Sequence, residues 1–340
     1  KHGGIISLED LKNYQAKIRK PLTGTFRGYT ILTVPPPSSG GVALLEMLHV
    51  LEPVDLGPPN SFHSISLITE TMRRAYADRA AYLGDTDFVS VPLDGLLSRK
   101  YADKLREEIV SAKPEAPVAA GQPAPYESSE TTHYSVVDAE GNAVSNTYTL
   151  NEWFGSAVTV EGAGFLLNDE MDDFASKIGS PNMFGLIQGE ANSIAPRKRP
   201  LSSMTPTIVL DNERGSAQTN DPPESRAPSP ESRVRLVLGS PGGATIINTV
   251  LQVLLNVVVY KMDVRSAVTA PRFHHQWMPD KLEMERIGFS DDTLEKLRQA
   301  GYKVEFLGSI GDCESIAVDP RTHWRFGAAD PRREGKAAGY

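Results

Sequence analysis

Thr131-Thr132-His133-Tyr134-Ser135-Val136-Val137-Asp138 reads as a β-strand whose first residue carries a nucleophilic hydroxyl. Tyr134 and Val136 alternate with His133, Ser135 and Val137, the two-residue period that sends successive side chains to opposite faces of a sheet. A polar run, Ala119 to Glu130, precedes the strand. Cleavage of the Glu130-Thr131 bond would make Thr131 a chain terminus, with its hydroxyl and its freed amine on one residue. In that arrangement a threonine acts as nucleophile with its own amine as base. A Thr-Thr pair also suits the start of a strand through β-propensity alone, so the octamer has a purely structural reading as well.

Four motifs lie downstream: Thr149-Leu150-Asn151, then Leu167-Asn168-Asp169-Glu170-Met171-Asp172-Asp173-Phe174, then Arg199-Pro200-Leu201-Ser202-Ser203-Met204-Thr205-Pro206, then Gly239-Ser240-Pro241-Gly242-Gly243. In order and spacing they resemble the small subunit of the gamma-glutamyltranspeptidases, a family of N-terminal-nucleophile hydrolases. The resemblance runs from Thr131 to Ala338-Gly339-Tyr340. It extends back through Pro35-Pro36-Pro37-Ser38-Ser39-Gly40-Gly41 to Gly3-Gly4, which is similar to the later part of the family's large subunit. Several separated motifs in one order are specific where any single one is not.

The resemblance implies an α+β fold, an αββα four-layer sandwich that is N-terminally incomplete. Residues 1–130 would be the C-terminal part of the large subunit, ending in a flexible linker, and 131–340 the small catalytic subunit, together one interwoven domain. The implied activity is gamma-glutamyl transfer or hydrolysis, from glutathione or a similar donor to water, an amino acid or a peptide, after self-cleavage before Thr131. The two subunits would then pair, with no cofactor or metal, in a periplasmic or extracellular setting. The chain starts at Lys1 with neither an initiator methionine nor a signal segment. The expectation is therefore that an earlier portion of the large subunit is missing, the one that in relatives supplies an arginine for the substrate α-carboxylate. The chain as given should then have little activity. Two rivals stand beside this: a cephalosporin or glutaryl acylase of the same fold, and a catalytically silent remnant that only binds.

Residue by residue, the resemblance makes Thr131 the nucleophile and Glu130-Thr131 the cleavage site. Thr149 would hold the nucleophile through its hydroxyl, although Asn146-Thr147-Tyr148-Thr149 also reads as ordinary strand. Gly242 and Gly243 would form the oxyanion hole. Glycine lets a backbone N–H approach a ligand closely, and the apolar helix that starts near Ala244 adds a favourable dipole. Asn151, Glu170 and Asp173 match the contacts to the substrate ammonium; Glu170 and Asp173 stand three apart and share a face if that turn is helical. Ser202 and Ser203 match the contacts to the carboxylate, with Arg197, Lys198 and Arg199 as nearby candidate cations. Pro181 to Asn192 is similar to a lid loop, with Phe184 where relatives commonly carry tyrosine.

Composition sets outer bounds. A net charge of −8 and no basic block longer than Arg197-Lys198-Arg199 speak against nucleic acid as a partner. The longest apolar run, Ala244 to Tyr260, is broken by Asn248, Thr249, Gln252 and Asn256, and reads as a buried helix rather than a membrane span. The single cysteine, Cys313, allows no intrachain disulfide and reads as a half-buried strand residue. Adjacent His274 and His275 would point opposite ways on an extended segment, which disfavours a shared metal.

Helices are expected from an N-cap at Ser7, over Val42 to Leu51, Ser61 to Tyr82, Ser98 to Val110 and Thr293 to Gly301. Strands are expected over Thr25 to Val34, Thr207 to Leu210, Val234 to Leu238 and Lys303 to Leu307. Ser111 to Ser129 carries little to bury and reads as a mobile linker, and Gly215 to Ser232 as an insertion at a hairpin tip.

Overall fold

A computed structural model of the chain describes residues 5–111, 117–118, 132–212 and 234–339. In chain order the helices and strands are α1 (Leu8–Asn13), β1 (Leu22–Phe26), β2 (Tyr29–Thr33), α2 (Gly40–Leu51), α3 (Phe62–Tyr82), α4 (Leu93–Leu96), α5 (Arg99–Ser111), β3 (Thr132–Val137) and β4 (Ala143–Tyr148). There follow β5 (Thr207–Asp211), β6 (Val234–Gly239), α6 (Ile246–Val258), α7 (Val264–Thr269), β7 (Phe273–His274), β8 (Leu282–Glu285), α8 (Asp291–Gln299), β9 (Val304–Leu307), β10 (Glu314–Val318) and β11 (Arg325–Ala328).

Side-chain caps fix several helix starts. Ser7 and Asp10 form a reciprocal capping box at α1, and the hydroxyls of Ser61 and Ser290 accept from the backbone N–H three residues on. The sequence reading of one strand over Thr25 to Val34 is corrected: β1 and β2 form an antiparallel hairpin in register Phe26↔Tyr29. Arg27 and Gly28 turn at φ 51° and 84°. Two central residues with positive φ match the right-handed twist of the strands, a geometry that Asn-Gly signals in a sequence more clearly than Arg-Gly does.

Six strands form one antiparallel sheet in the order β1-β2-β5-β6-β10-β11. Alternation along its central strands separates two cores. Val209, Leu236 and Leu238 face the helices, joining α2 and α6 in the main apolar cluster, while Ile208, Leu210 and Val237 face the other way. On that second face lies the β3–β4 hairpin, which adds Val137 and Ala143 to the intersheet cluster. Polar side chains also join these layers. The Ser145 hydroxyl donates to Leu238 O at 2.9 Å and accepts from Thr207 N at 3.0 Å, and Ser135 donates to Glu314 O at 3.0 Å. The β5–β6 pairing confirms the hairpin expected on either side of the insertion, which itself lies outside the described residues.

α2 is buried over its whole length, between the sheet and a layer containing α3, α5 and α6. The described residues thus supply helix, sheet and sheet, three layers of the expected sandwich. The outer face of β3–β4 is exposed. A smaller sheet, β7-β8-β9, contains a parallel β8–β9 pair joined through α8. Cys313 departs from its half-buried reading: it is fully buried just before β10, and burial pushes its thiol up to about 12, so it is no nucleophile. Among the described residues no helix is long and apolar enough to cross a membrane.

Candidate active site

The Pro35–Gly41 motif exists to carry the serine turn. Ser39 N–H and the Ser39 hydroxyl both donate to Ser202 O, at 2.8 and 2.7 Å, and Ser202 N–H donates to Pro37 O at 3.0 Å. The Ser38 hydroxyl donates to Met204 O at 2.6 Å. A Cβ on Gly40 would meet Thr205 Oγ1 at 2.2 Å, so the first turn of α2 and the serine turn approach closely only because that residue is glycine. Ser202 and Ser203 are held against the start of α2 by two elements distant in sequence.

The acids sit on a turn of their own. Glu170 to Asp173 form one 3₁₀ turn, so the residues three apart do share a face, as expected. Glu170 accepts a hydrogen bond from the Thr149 hydroxyl, and Asn151 N–H donates to Thr149 Oγ1 at 2.8 Å. Asn151 is buried in a left-handed conformation at φ 75°, and its amide donates to Asp169 O at 3.4 Å. Asp173 accepts from Asn182 Nδ2 at 3.3 Å, and its carbonyl takes Gln188 Nε2 at 2.8 Å and Asn192 Nδ2 at 2.6 Å. Burial raises Glu170 to about 7, with the Asp169 charge adding to it and the Thr149 hydrogen bond opposing it. Burial and the neighbouring Glu170 push Asp173 well above the ordinary carboxylate range, against the pull of Arg79. A half-buried and a buried carboxyl on one turn, both with raised pKa values, form a site that a cation would stabilise.

Arg79 is the residue that the sequence reading missed. It is 1% exposed, and its Nε donates to Ser39 Oγ at 2.9 Å while Nη2 donates to Ser203 Oγ at 3.2 Å. The signal was present: Ile65, Ile68, Met72 and Tyr76 mark the buried stripe of α3, and Arg79 continues it three residues on. Arg197, Lys198 and Arg199, the cations named from the sequence, are engaged elsewhere or exposed. Lys198 Nζ donates to Ala191 O and Ser193 O, Arg199 reaches Gln15 O and pairs with Asp87 at 3.8 Å, and Arg197 is exposed. None of these contacts is to Ser202 or Ser203.

Gly242 and Gly243 lie between β6 and α6, with φ of 133° and 49°, at the start of a 3₁₀ turn that runs into α6. Tyr76, one helical turn before Arg79, donates its hydroxyl to Ala244 O. One helix therefore braces the diglycine turn and the serine turn together. Glu130 and Thr131 lie outside the described residues. Thr132 pairs with Tyr148, the residue immediately before Thr149. His133 is buried between Thr147 Oγ1 at 2.8 Å and Ser135 Oγ at 3.1 Å, and burial lowers its pKa to about 4. It is a neutral structural ring.

Beside the start of β3 a cavity of about 770 Å³ is bounded by Thr132, Trp153, Pro241, Asp312 and Glu314 among others. Burial and the Asp330 charge raise Asp312 to about 6, and burial and the Asp312 charge raise Glu314 to about 7. Phe184 packs in the main apolar cluster at 5% exposure, so a gate there would first have to withdraw the ring from the core. His274 and His275 are both buried; the first contacts Asn248 and Gln276, the second Asp280. Among the described residues no group of three or more His, Cys, Asp or Glu is placed to hold a metal.

Stacked sheets under a helical layer define an N-terminal-nucleophile hydrolase fold. The sequence pattern of the gamma-glutamyltranspeptidases matches residues 1–340, and the chain belongs to that family. It is 45% identical to the glutathione hydrolase proenzyme of Escherichia coli K12 over all of this chain and 56% of that protein. The chain thus spans little more than half the length of the curated relatives it matches. A solved gamma-glutamyltranspeptidase mutant from Helicobacter pylori is 48% identical, with a TM-score of 0.51 over 59% of this chain and all of that one. A cephalosporin acylase from Bacillus halodurans shares the fold at 23% identity, with a TM-score of 0.79 over all of this chain and 56% of that one.

Proposed function

We propose that the protein cleaves gamma-glutamyl amides, glutathione among them, and passes the gamma-glutamyl group to water or to an amine. The observation that carries this is the pair of polar groupings that Arg79 links, one by hydrogen bonds and one by charge. Half-buried Glu170 and buried Asp173, with raised pKa values, form one grouping, and the Ser203 hydroxyl, backed by a guanidinium, forms the other. A gamma-glutamyl donor has an α-ammonium for the first and an α-carboxylate for the second.

In the proposed sequence the Thr131 hydroxyl attacks the Glu130 carbonyl, and the peptide bond is exchanged for an ester that water hydrolyses. Glu130 ends as a carboxylate and Thr131 as a free amine. Two features support this: Thr131 directly precedes Thr132, whose partner Tyr148 directly precedes Thr149, and His133 is neutral and occupied, leaving the amine as base. The amine, with a reference pKa of about 7.7–8.0, then takes the Thr131 proton as the hydroxyl attacks the donor γ-carbonyl. Gly242 and Gly243 N–H groups would receive the oxyanion, the leaving amine departs with the proton, and water or a second amine resolves the ester. The solved relative matched in full by 59% of this chain has nearly the length of Thr131 to Tyr340, as expected if that part becomes a separate polypeptide. Export to the periplasm or outside the cell belongs to the same proposal, and fractionation of the source cells would test it.

Thr131→Ala in the full-length protein should abolish both chain cleavage and hydrolysis of a gamma-glutamyl anilide. Normal processing in that variant, seen by mass spectrometry, would sink the mechanism. The acylase alternative is separated by Asp173→Asn. Removing a buried charge partner costs about 3–5 kcal/mol, so kcat/KM should collapse for gamma-glutamyl donors and change far less for glutaryl donors, which lack the ammonium. Equal losses on both would make the acid structural.

A further inference from the structure

Arg79 spends its guanidinium in an unusual way. It is almost wholly buried on α3, yet among the described residues it makes no ion pair within 4.0 Å, and its Nη1 has no hydrogen-bond partner. Burying such a charge is expensive unless something anionic completes it. Two of its donors go to hydroxyls far apart in the sequence, Ser39 and Ser203, although a guanidinium's fork is suited to a carboxylate. A serine oxygen that accepts from a guanidinium keeps its own proton for a further acceptor. Ser39 delivers its proton to Ser202 O. Among the described residues the Ser203 hydroxyl meets no such acceptor, so its O–H is available to a ligand.

The same cation faces the acid side. Besides Tyr76 of the same helix, the charge of Asp173 acts on Arg79, and Asp173 in turn feels Glu170, Asp172 and Asp169. Arg79 thus reaches the serine turn by hydrogen bonds and the acid turn by charge.

We propose that Arg79 is a positioning residue for the donor, aiming the Ser203 hydroxyl at the substrate carboxylate while its charge favours the ionised form of Asp173 when the substrate ammonium arrives. This rests on the gamma-glutamyl reading above. It differs from a packing role, since a neutral residue of equal volume would fill the space and fail at both tasks.

The test is steady-state kinetics of the full-length protein on a gamma-glutamyl anilide across pH. A hydrogen bond to a charged group contributes enough that Arg79→Gln should raise KM by about tenfold or more, with a smaller change in kcat. Removing the cation disfavours the Asp173 carboxylate, so the acid limb of kcat/KM should move to higher pH, and Arg79→Lys should recover part of both effects. A folded Arg79→Gln protein with the parent's KM and pH profile would overturn the proposal. Should that variant fail to fold, a cycle of Arg79→Lys with Ser203→Ala decides: non-additive effects on KM support action through Ser203, additive effects refute it. A parent that leaves the anilide intact would instead sink the functional reading, and this inference with it.

Discussion

At the scale of the residue, the site stores its cost in Glu170. Folding raises this carboxyl from 4.5 to about 7, and its Oε1 is buried without a hydrogen-bond partner. The folded chain therefore binds the proton more tightly than the unfolded one. The stability this confers is complete below pH 4.5 and is lost as pH rises through 7. Glu170→Gln mimics the protonated form, so the variant should be more stable than the parent by about 1–3 kcal/mol at pH 8, with no gain near pH 4.5. Denaturant melts at the two pH values check this; an equal effect at both would show that burial does not set the titration. Catalysis should run the other way. The ionised form is what a substrate ammonium needs, so donor affinity should weaken as pH falls below 7. Stability and binding make opposite demands on one carboxyl, as functional sites often require.

At the scale of the element, α2 and its preceding motif decide whether the serine turn exists. A Cβ on Gly41 would lie 2.0 Å from Val34 O, a backbone atom that cannot swing aside. Gly41→Ala should thus cost about 1–3 kcal/mol through overpacking and weaken donor binding by shifting Ser202 and Ser203. Gly95 in α4 has open space around its would-be Cβ, so Gly95→Ala should be neutral or stabilise by up to about 1 kcal/mol. Thermal melts of the pair test the contrast; similar behaviour would mean that close approach does not govern Gly41. Most helices were legible from caps and periodicity, with Ser61 and Tyr82 marking α3 to within a residue. The β1–β2 hairpin was not, because Thr25 to Val34 alternates across a turn whose Arg-Gly pair gives a weak signal.

At the scale of the whole molecule, the described residues cover the β3–β4 hairpin on one face only. Tyr134, Val136, Val144 and Tyr148 are 47%, 48%, 50% and 56% exposed on the other. Such a contiguous apolar face promotes association. The chain Lys1–Tyr340 by itself should bind an apolar dye and self-associate at micromolar concentration, and Val136→Thr with Val144→Thr should reduce both. Light scattering checks this, and a monomer with no dye binding would show that the face is harmless. The same face explains why the sequence could name the strand and not its burial: alternation fixes which residues share a side, while what covers that side lies elsewhere.

The sequence alone determined the family, the order of the motifs and the residue types of the site, because these are local patterns read in one dimension. It also predicted that Glu170 and Asp173 share a face, since a three-residue offset has one outcome in a helical turn. Only the tertiary structure showed that Arg79, not Arg197, Lys198 or Arg199, meets the serine turn. Proximity along the chain favoured the latter three, yet Arg79 lies 124 residues from Ser203 and reaches it because α3 packs beside α2. The charge states of Glu170 and Asp173 were likewise settled by folding, since a pKa follows burial and neighbours that no stretch of sequence contains.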